Sequence, residues 1–242
     1  MDPLDDAVLM KRTLISIIVP TFREAENIPV LLEKIDDNMK SSNLPYEIII
    51  VDDDSRDGIV DEIERLKNNY NVKIVVRKKE RGLSSATLTG FRAAAGDIFV
   101  VMDADLSHPP EKIPELVRPI LGNRSQFVLG SRFVGGGSTP YFNIYRKFNA
   151  FISKILARPL INVKDPMAGF FAFPKSILKN IHNINPLGFK IALEIMVKCS
   201  PGNIVEIPID FQKRLYGESK LSFQEQLKYL IHLKRLYQYK LL

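Results

Sequence analysis

The first hundred residues alternate between two hydrophobic patterns. Runs of apolar, often β-branched residues predict buried strands, and apolar residues at helical spacing predict helices. The predicted strands are residues 14–20, 46–55, 72–77 and 97–103, and the predicted helices are residues 24–40, 59–70 and 84–96, with Gly96 as the stop of the last helix. Strands that are apolar on both faces and separated by helices form a parallel sheet covered on both sides. The pattern therefore predicts a Rossmann-like, doubly wound α/β fold.

Polar residues follow three of the predicted strands. The segment PTFRE ends at Glu24, DDDS covers residues 52–55, and DADLS covers residues 103–107. Ligands of doubly wound sheets bind at the carboxyl ends of the strands. Several carboxylates would converge on this edge, where they repel one another unless a cation or a hydrogen-bonded ligand is present. The convergence predicts a ligand site at this edge of the sheet.

Asp103 and Asp105 are candidate metal ligands. They lie two residues apart behind the apolar run FVVM, so both carboxylates can point towards one position. Oxygen ligands suit Mg²⁺ or Mn²⁺, and such an ion completes its coordination with substrate phosphates and water. The pair therefore predicts a nucleoside diphosphate ligand, although an isolated Asp-x-Asp is also common in turns and surface pairs. No GxGxxG follows the first strand and no GxxxxGK[ST] occurs, which excludes an ordinary dinucleotide fold and a phosphate-loop ATPase.

Composition narrows the class of protein. The chain has 242 residues, of which 45% are hydrophobic, enough for a sizeable core. Its one cysteine, Cys199, excludes an internal disulfide, and the acidic first residues lack the features of a signal peptide. No apolar run approaches the roughly 18 residues that a membrane span requires. We therefore expect a reducing, cytoplasmic setting.

Charge is distributed unevenly along the chain. Residues 1–115 contain 15 Lys and Arg against 22 Asp and Glu, whereas residues 116–242 contain 19 against 6. A basic half of this kind attracts a phosphorylated substrate, anionic lipid or nucleic acid, or is simply a solvated basic face. No recognition motif supports nucleic acid, so we expect no such partner.

Seven segments, in order, resemble the family-two glycosyltransferases of the GT-A fold, and within them the dolichyl-phosphate (polyprenyl-phosphate) mannosyltransferase branch. The segments are IIVPTFREAEN (17–27), IIIVDDDSRDG (48–58), RGLSSATLTGF (81–91), VVMDADLSHPPE (100–111), LGSRFVGGG (129–137), DPMAGFFAF (165–173) and IDFQKRLYGESKL (209–221). The resemblance covers roughly residues 14–221. It implies a GT-A fold, a mostly parallel sheet flanked by helices, with amphipathic interface helices.

The resemblance also implies a set of site residues. Those expected to bind the nucleotide sugar are Pro20, Phe22, Glu24, Asp52, Ser85, Asp103 and Ala104. Asp103 and Asp105 match the metal pair, whereas Ser107 stands where some relatives have a glutamine ligand and is too short for us to expect direct ligation. Those expected to handle the acceptor phosphate are Arg132, Arg146, Arg214 and Lys220. Asp105, Arg132 and Arg214 are the implied catalytic residues.

The implied reaction is the metal-dependent, inverting transfer of mannose from GDP-mannose to a dolichyl or polyprenyl phosphate, with Mg²⁺ or Mn²⁺ as cofactor. The expected location is peripheral, on the cytoplasmic face of a membrane. The alternative within enzymes is a polyprenyl-phosphate transferase that uses UDP-glucose or another UDP-sugar. A remote alternative from another class is an aspartate phosphoacceptor domain, whose shorter length would leave the GSRFVGGG and RLYGESK segments unexplained.

Three regions follow from these matches. Residues 1–13 form an N-terminal extension, residues 14–221 form the catalytic domain, and residues 222–242 form a basic amphipathic C-terminal helix. The catalytic domain divides into a nucleotide-sugar half at about 14–115 and an acceptor half at about 116–221. Residues 141–161 and the C-terminal helix mix aromatic and aliphatic residues with cations, which predicts helices at a membrane interface; the alternative is packing on the protein's own core. Relatives could continue into transmembrane segments or recruit a membrane-anchoring subunit.

Three further observations leave their alternatives open. Asp165 precedes a proline and either orients sugar hydroxyls or the acceptor loop, or is a turn residue. Glu194 lies on a predicted helix, where a structural role is at least as well supported as a functional one. His108, His182 and His232 lack metal-ligand spacing, and we expect none of them to be catalytic.

Overall fold

The fold is organised around a seven-stranded sheet. The computed structural model describes residues 13–178, 184–185, 187–188, 190–215 and 223–241. Its strands are β1 Ile15–Thr21, β2 Tyr46–Asp52, β3 Val72–Val76, β4 Ile98–Val101, β5 Phe127–Ser131, β6 Phe171–Pro174 and β7 Ile204–Pro208, in the spatial order β3-β2-β1-β4-β6-β5-β7. β6 runs antiparallel to β4 and β5, and the other neighbouring pairs are parallel. The predicted mostly parallel sheet is confirmed.

Helices cover both faces of this sheet. They are α1 Ile28–Ser41, α2 Ile59–Leu66, α3 Leu83–Ala93, α4 Ile113–Leu121, α5 Ile144–Ala157, α6 Ile191–Cys199 and α7 Phe223–Leu241. One core cluster packs α1, α2 and α4 against residues such as Ile17 and Ile48, and a second packs α3 and α6 against Ile18 and Phe99. Burial of both faces explains why the strands are continuous apolar runs.

Three predicted helices are longer than the observed ones. The helix predicted at 24–40 opens with a 3-10 turn, Ala25–Asn27, and becomes α-helical only at Ile28. The helix predicted at 59–70 ends at Leu66, and the helix predicted at 84–96 ends at Ala93. Gly96 is not the helix stop. It lies against the first strand, where a Cβ would be 2.6 Å from the carbonyl oxygen of Leu14, so the close approach of two backbones requires glycine.

The order of the strands creates a crevice between β1 and β4. The chain passes from β1 to β2 and β3 on one side, and then returns to place β4 on the other side of β1. At such a switch point the loops after neighbouring strands diverge, which opens a cleft at their carboxyl ends. The DADLS loop lies beyond β4, and the PTFRE segment covers the end of β1 and the three residues after it, so both lie at this edge of the sheet.

The amphipathic segments predicted at 141–161 and 222–242 contain α5 and α7. α7 packs across α5 and α6, with Tyr229 and Leu236 in a third core cluster. The hydroxyl of Tyr229 donates to the carbonyl oxygen of Ser153 at 2.8 Å. On α5 only Ala157 is buried. Each helix therefore packs on the protein with one side and leaves apolar residues exposed on the other, and the predicted membrane interface stays a prediction. Among the described residues, no helix combines the length and the apolarity that crossing a membrane requires.

Candidate active site

Asp103 and Asp105 lie on a tight loop directly beyond β4. The side chain of Asp105 is only 5% exposed, whereas that of Asp103 is 31% exposed. One carboxylate oxygen of Asp105, Oδ1, accepts hydrogen bonds from the backbone N–H of Ser107 at 3.0 Å and from its hydroxyl at 2.6 Å. Leu106 between them has a φ of +61°, which closes the turn. Ser107 therefore orients the carboxylate of Asp105.

His108 holds the other aspartate of the pair in place. Its Nδ1 accepts a hydrogen bond from the backbone N–H of Asp103 at 3.0 Å. The ring stacks on Phe170 at 5.3 Å and meets the edge of Phe211 at 5.6 Å between centroids. Burial lowers the pKa of His108, so the ring is neutral and Nδ1 is free to accept. The sequence predicted no role for this histidine; in the fold it supports the loop that carries the carboxylates.

The carboxylate pair suits a hard divalent cation. Burial raises the pKa of Asp103, and the nearby charge of Asp105 adds to the rise, so a cation between the two carboxylates would relieve an existing cost. Among the residues that the structure describes, no group of three or more His, Cys, Asp or Glu side chains could hold a metal. Within the described part of the chain the site offers these two carboxylates, and Mg²⁺ or Mn²⁺ would take its remaining oxygens from a ligand and water. The donor set fits such an ion.

Arg214 contacts this pair directly. Its Nε lies 2.9 Å from Oδ2 of Asp105, the oxygen that Ser107 leaves open. Two backbone hydrogen bonds align the segment of Arg214 with the loop: Leu215 N–H to Asp105 O at 3.1 Å, and Gln212 N–H to Ser107 O at 3.0 Å. The predicted acceptor-side arginine therefore lies against a predicted metal ligand.

Arg132 is fixed by a buried carboxylate. Its Nε and Nη2 donate to Oδ2 and Oδ1 of Asp165, each at 2.8 Å, and its backbone N–H donates to Oδ2 at 3.1 Å. Asp165 is fully buried, and Glu206 accepts the backbone N–H groups of Lys164 and Asp165. Although burial alone would raise the pKa of Asp165, the charge and hydrogen bonds of Arg132 lower it. Asp165 does open a turn, because its carbonyl oxygen accepts the N–H of Ala168 at 3.2 Å, while its side chain anchors Arg132, a contact that the sequence did not predict. The predicted role in orienting sugar hydroxyls or the acceptor loop stays a prediction.

Aromatic rings surround the arginines. The guanidinium of Arg132 lies 5.7 Å from the ring centroid of Phe142 and 5.4 Å from that of Phe211. Arg146, on the first turn of α5, lies 4.1 Å from the centroid of Phe142. Burial lowers the pKa of Arg146, and the charges of Arg214 and Arg132 add to this effect. Its Nε is buried without a hydrogen-bond partner. The fold thus gathers three predicted acceptor-side arginines, and the fourth residue, Lys220, lies outside the described residues.

Two of the residues predicted to bind the nucleotide sugar, Phe22 and Asp52, lie at the ends of β1 and β2. Phe22 follows β1, and the guanidinium groups of Arg23 and Arg81 lie 5.4 and 5.2 Å from its ring centroid. Asp52 at the end of β2 is 1% exposed, and its carboxylate accepts hydrogen bonds from Ser55 and Thr21. Its contacts therefore organise the DDDS turn, which ends the predicted strand 46–55 three residues early.

The other predicted members of this set have structural contacts. Pro20 is buried in β1 opposite Val51, Ala104 is buried between the two aspartates, and Glu24 accepts from the side chain of Asn27 at 2.6 Å. Ser85 donates to Gly82 O and accepts from Arg77, each at 3.0 Å. Arg77 also forms a buried ion pair with Asp53, which holds the loop before α3 in position. Nothing in the sequence indicated this ion pair.

Lys190 is the cation that sequence reasoning missed. It precedes α6, and its neighbours include Arg132, Asp165 and Asp103. Burial lowers its pKa to about 7, and the positive charge of Arg132 contributes. Nothing local to the sequence signals this environment, because its neighbours come from segments more than twenty residues away.

Curated relatives match over most of this chain. A dolichol-phosphate mannosyltransferase of Pyrococcus furiosus is 43% identical over 226 residues, which cover 92% of this chain and 63% of the relative. The chain thus spans less than two thirds of that protein. A dolichol-phosphate mannosyltransferase of Mycosarcoma maydis is 44% identical over 234 residues, which cover 93% of this chain and 79% of the relative.

Solved structures share the fold at low identity. Mannosyl-3-phosphoglycerate synthase from Rubrobacter xylanophilus aligns with a TM-score of 0.72 and 18% identity, covering 100% of this chain and 80% of that one. Glucosyl-3-phosphoglycerate synthase from Mycobacterium tuberculosis, in complex with Mn²⁺, UDP-glucose and glycerol 3-phosphate, aligns with a TM-score of 0.64 and 17% identity, covering 99% and 84%. The fold is the GT-A glycosyltransferase fold. The model of the family described as "Glycosyl transferase family 2" matches residues 16–182. This match agrees with the cleft, with the Asp103–Asp105 pair and with the curated relatives. This protein is therefore a member of glycosyltransferase family 2.

Proposed function

We propose that this protein transfers mannose from GDP-mannose to the phosphate of a dolichyl or polyprenyl phosphate, with inversion at the anomeric carbon. The observation that carries the proposal is the meeting of Arg132, Arg146 and Arg214 beside the pair formed by Asp103 and Asp105. A transferase that joins two anionic substrates needs a cation site for the diphosphate leaving group and a second cationic site for the acceptor. The relatives named dolichol-phosphate mannosyltransferases support the choice of substrates.

The donor occupies the side of the cleft lined by β1 and β2. Phe22 offers an aromatic face for the base, with the guanidinium of Arg81 close to the same ring. Asp52 keeps the adjoining turn in shape through Ser55 and Thr21. Asp103 and Asp105 would hold a divalent cation, Mg²⁺ or Mn²⁺, and such a Lewis acid would stabilise the negative charge on a departing diphosphate.

The acceptor requires positioning more than activation. A phosphate monoester has a second pKa of about 6, so near neutral pH it is already a dianion and a competent nucleophile. No general base is then needed. Arginine side chains bind phosphate through paired N–H donors, and together they offset the repulsion between two negative reactants. Attack from the side opposite the leaving group converts an α-linked donor into a β-linked mannosyl phosphate.

The helix pair α5 and α7 gives the acceptor a lipid-facing approach. The exposed aromatic residues of α5 include Tyr145, Phe148 and Phe151, each 59 or 60% exposed, and α7 adds Leu227 and Leu230 at 51%. Cationic side chains lie among these residues on the two helices: Lys147, Lys154, Arg158, Lys228, Lys234 and Arg235. Apolar residues beside cations suit the boundary between acyl chains and anionic headgroups. We therefore place α5 and α7 on the cytoplasmic face of a membrane, next to the arginines.

A transfer assay tests the proposal. The full chain is incubated with Mn²⁺, a short-chain dolichyl phosphate and either labelled GDP-mannose or labelled UDP-glucose, and label is counted in the organic phase. We expect transfer from GDP-mannose that requires the divalent cation and is lost in Asp105→Ala. Asp37→Ala, which changes an exposed carboxylate on α1, serves as the control and retains transfer.

The other outcomes discriminate between the alternatives. Transfer from UDP-glucose alone would replace the donor but keep the fold and the acceptor. Full activity of Asp105→Ala would contradict the assignment of Asp105 to the metal. Absence of transfer from both donors, in the presence of anionic vesicles, would contradict the proposed acceptor.

A further inference from the structure

Arg214 and a divalent cation would compete for the same oxygen. Asp105 is buried, and its Oδ1 is already engaged by the N–H and hydroxyl of Ser107. The remaining oxygen, Oδ2, lies 2.9 Å from Nε of Arg214. Since Ser107 fixes the orientation of the carboxylate, Oδ2 is the oxygen that can bind a cation within the cleft. A bound metal ion and the guanidinium would then be like charges at one carboxylate, which is unfavourable at short range.

The backbone around Arg214 is anchored independently of this ion pair. Leu215 and Gln212 donate their N–H groups to the carbonyl oxygens of Asp105 and Ser107. Loss of the ion pair therefore leaves the segment docked on the loop, and only the flexible side chain has to move. The side chain of Arg214 is 28% exposed, which leaves room for that movement towards the open cleft.

The two neighbouring arginines differ from Arg214 in their partners. Arg132 is paired with Asp165, a fully buried carboxylate that is not a predicted metal ligand. Arg146 has a buried Nε without a hydrogen-bond partner and lies over Phe142. Arg214 is thus the arginine of this group whose charge is balanced by a predicted metal ligand. Release of Arg214 from Asp105 would make its guanidinium available to an anion beside Arg146.

From these contacts we propose that Asp105 acts as a switch between the two substrates. Asp105 holds Arg214 before the donor binds. The metal ion that arrives with the nucleotide displaces Arg214, and Arg214 then completes the anion site for the acceptor phosphate. This inference rests on the proposed function, because it assigns a binding order to the same cleft. It makes donor binding and acceptor binding cooperative. By linkage, an acceptor phosphate that holds Arg214 strengthens metal binding by the same factor.

The test measures Mn²⁺ binding to the full chain without nucleotide, from the loss of the free-ion signal in electron paramagnetic resonance. Wild type is compared with Arg214→Met, which removes the competing charge, and with Arg146→Met, which removes a charge from the same cluster without a contact to Asp105. We expect Arg214→Met to bind Mn²⁺ about tenfold more tightly than wild type, within the usual range of coupling between sites. Arg146→Met should bind only slightly more tightly, through its general electrostatic effect. Circular dichroism confirms that each variant is folded.

A second measurement follows the acceptor side with citronellyl phosphate as the probe, by calorimetry with and without Mn²⁺ and GDP. Wild type should bind the phosphate more tightly when Mn²⁺ and GDP are present, and Arg214→Met should lose most of this gain. Equal Mn²⁺ affinity of wild type and Arg214→Met, or an undiminished gain in Arg214→Met, would overturn the switch. If instead Asp105→Asn binds Mn²⁺ as wild type does, the metal assignment in the proposed function fails, which is a separate result.

Discussion

Arg132 and Asp165 form an ion pair with two parallel hydrogen bonds of 2.8 Å each, and the carboxylate in this pair has no exposed surface. The pair joins the end of β5 to the segment before β6. A third bond, from the backbone N–H of Arg132, ties the same carboxylate to the turn after β5. The guanidinium therefore has one orientation, among the rings of Phe133, Phe142 and Phe211.

Replacing Asp165 should be costly for the fold. Asp165→Ala leaves the guanidinium of Arg132 buried without its partner, and breaking a buried pair in this way costs about 3–5 kcal/mol. The measurement is the free energy of unfolding in urea. Asp37→Ala, on the exposed face of α1, should change it by no more than about 0.5 kcal/mol. Similar stabilities of the two variants would contradict the assigned role of Asp165.

Stability should depend on pH through Glu194 on α6. Burial alone would raise the pKa of Glu194, but the side chains of His232 on α7 and Lys198, with the N–H of Asn185, lower it below the usual 4.5. A carboxyl group whose pKa is lower in the folded than in the unfolded state stabilises the fold at any pH above its unfolded-state pKa. This contribution is lost as the pH falls through the pKa of the folded state. The difference in unfolding free energy between wild type and Glu194→Gln should therefore shrink as the pH is lowered from 4.5. The exposed Glu33→Gln on α1 is the control, and a difference that grows on acidification would exclude this linkage.

Lys190 should be largely neutral at pH 8, because burial lowers its pKa to about 7. Competitive labelling with acetic anhydride, read by mass spectrometry as a function of pH, measures this value. Lys40 is a suitable comparison, because its hydrogen bond with Asp36 raises its pKa above 10.5. Lys190 should label with a midpoint near 7, and Lys40 only at much higher pH. Coincident midpoints for the two lysines would contradict the lowered pKa expected of Lys190 in its partly buried position beside Arg132.

The exposed aromatic residues of α5 should govern binding to vesicles. Phe151→Glu removes an apolar group worth about 2 kcal/mol on burial and adds a repulsive charge, so partitioning onto anionic vesicles should fall at least about tenfold. Val60→Glu is the matched control, since Val60 is an exposed apolar residue on α2, 42% exposed, at a distance from α5 and α7 in the fold. Sedimentation with vesicles measures both variants. Equal losses would point to general electrostatic repulsion rather than to α5 as the contact surface.

The sequence alone was enough to predict the architecture of the first hundred residues. The alternation of apolar runs and helical spacing up to Asp103 is a local signal, and residues that follow parallel strands necessarily meet at one edge of the sheet. This rule brought Asp103 and Asp105 to the cleft before any contact was known. The seven matching segments pointed to Arg132, Arg146 and Arg214 as acceptor-side residues, a role that remains a proposal. Their charge alone would have fitted a solvated surface equally well.

The pairing of the charged side chains became visible only in the folded chain. Arg132 lies 33 residues from Asp165, and Arg214 lies more than a hundred residues from Asp105, so no local spacing predicts either pair. The periodicity also predicted no strands beyond residue 103. β6 is a four-residue strand that enters antiparallel between β4 and β5, a placement set by long-range pairing and not by its own composition. Likewise, the division of α5 and α7 into a packed side and an exposed side followed from what they contact, because an amphipathic pattern specifies that a face is buried but not the surface that buries it.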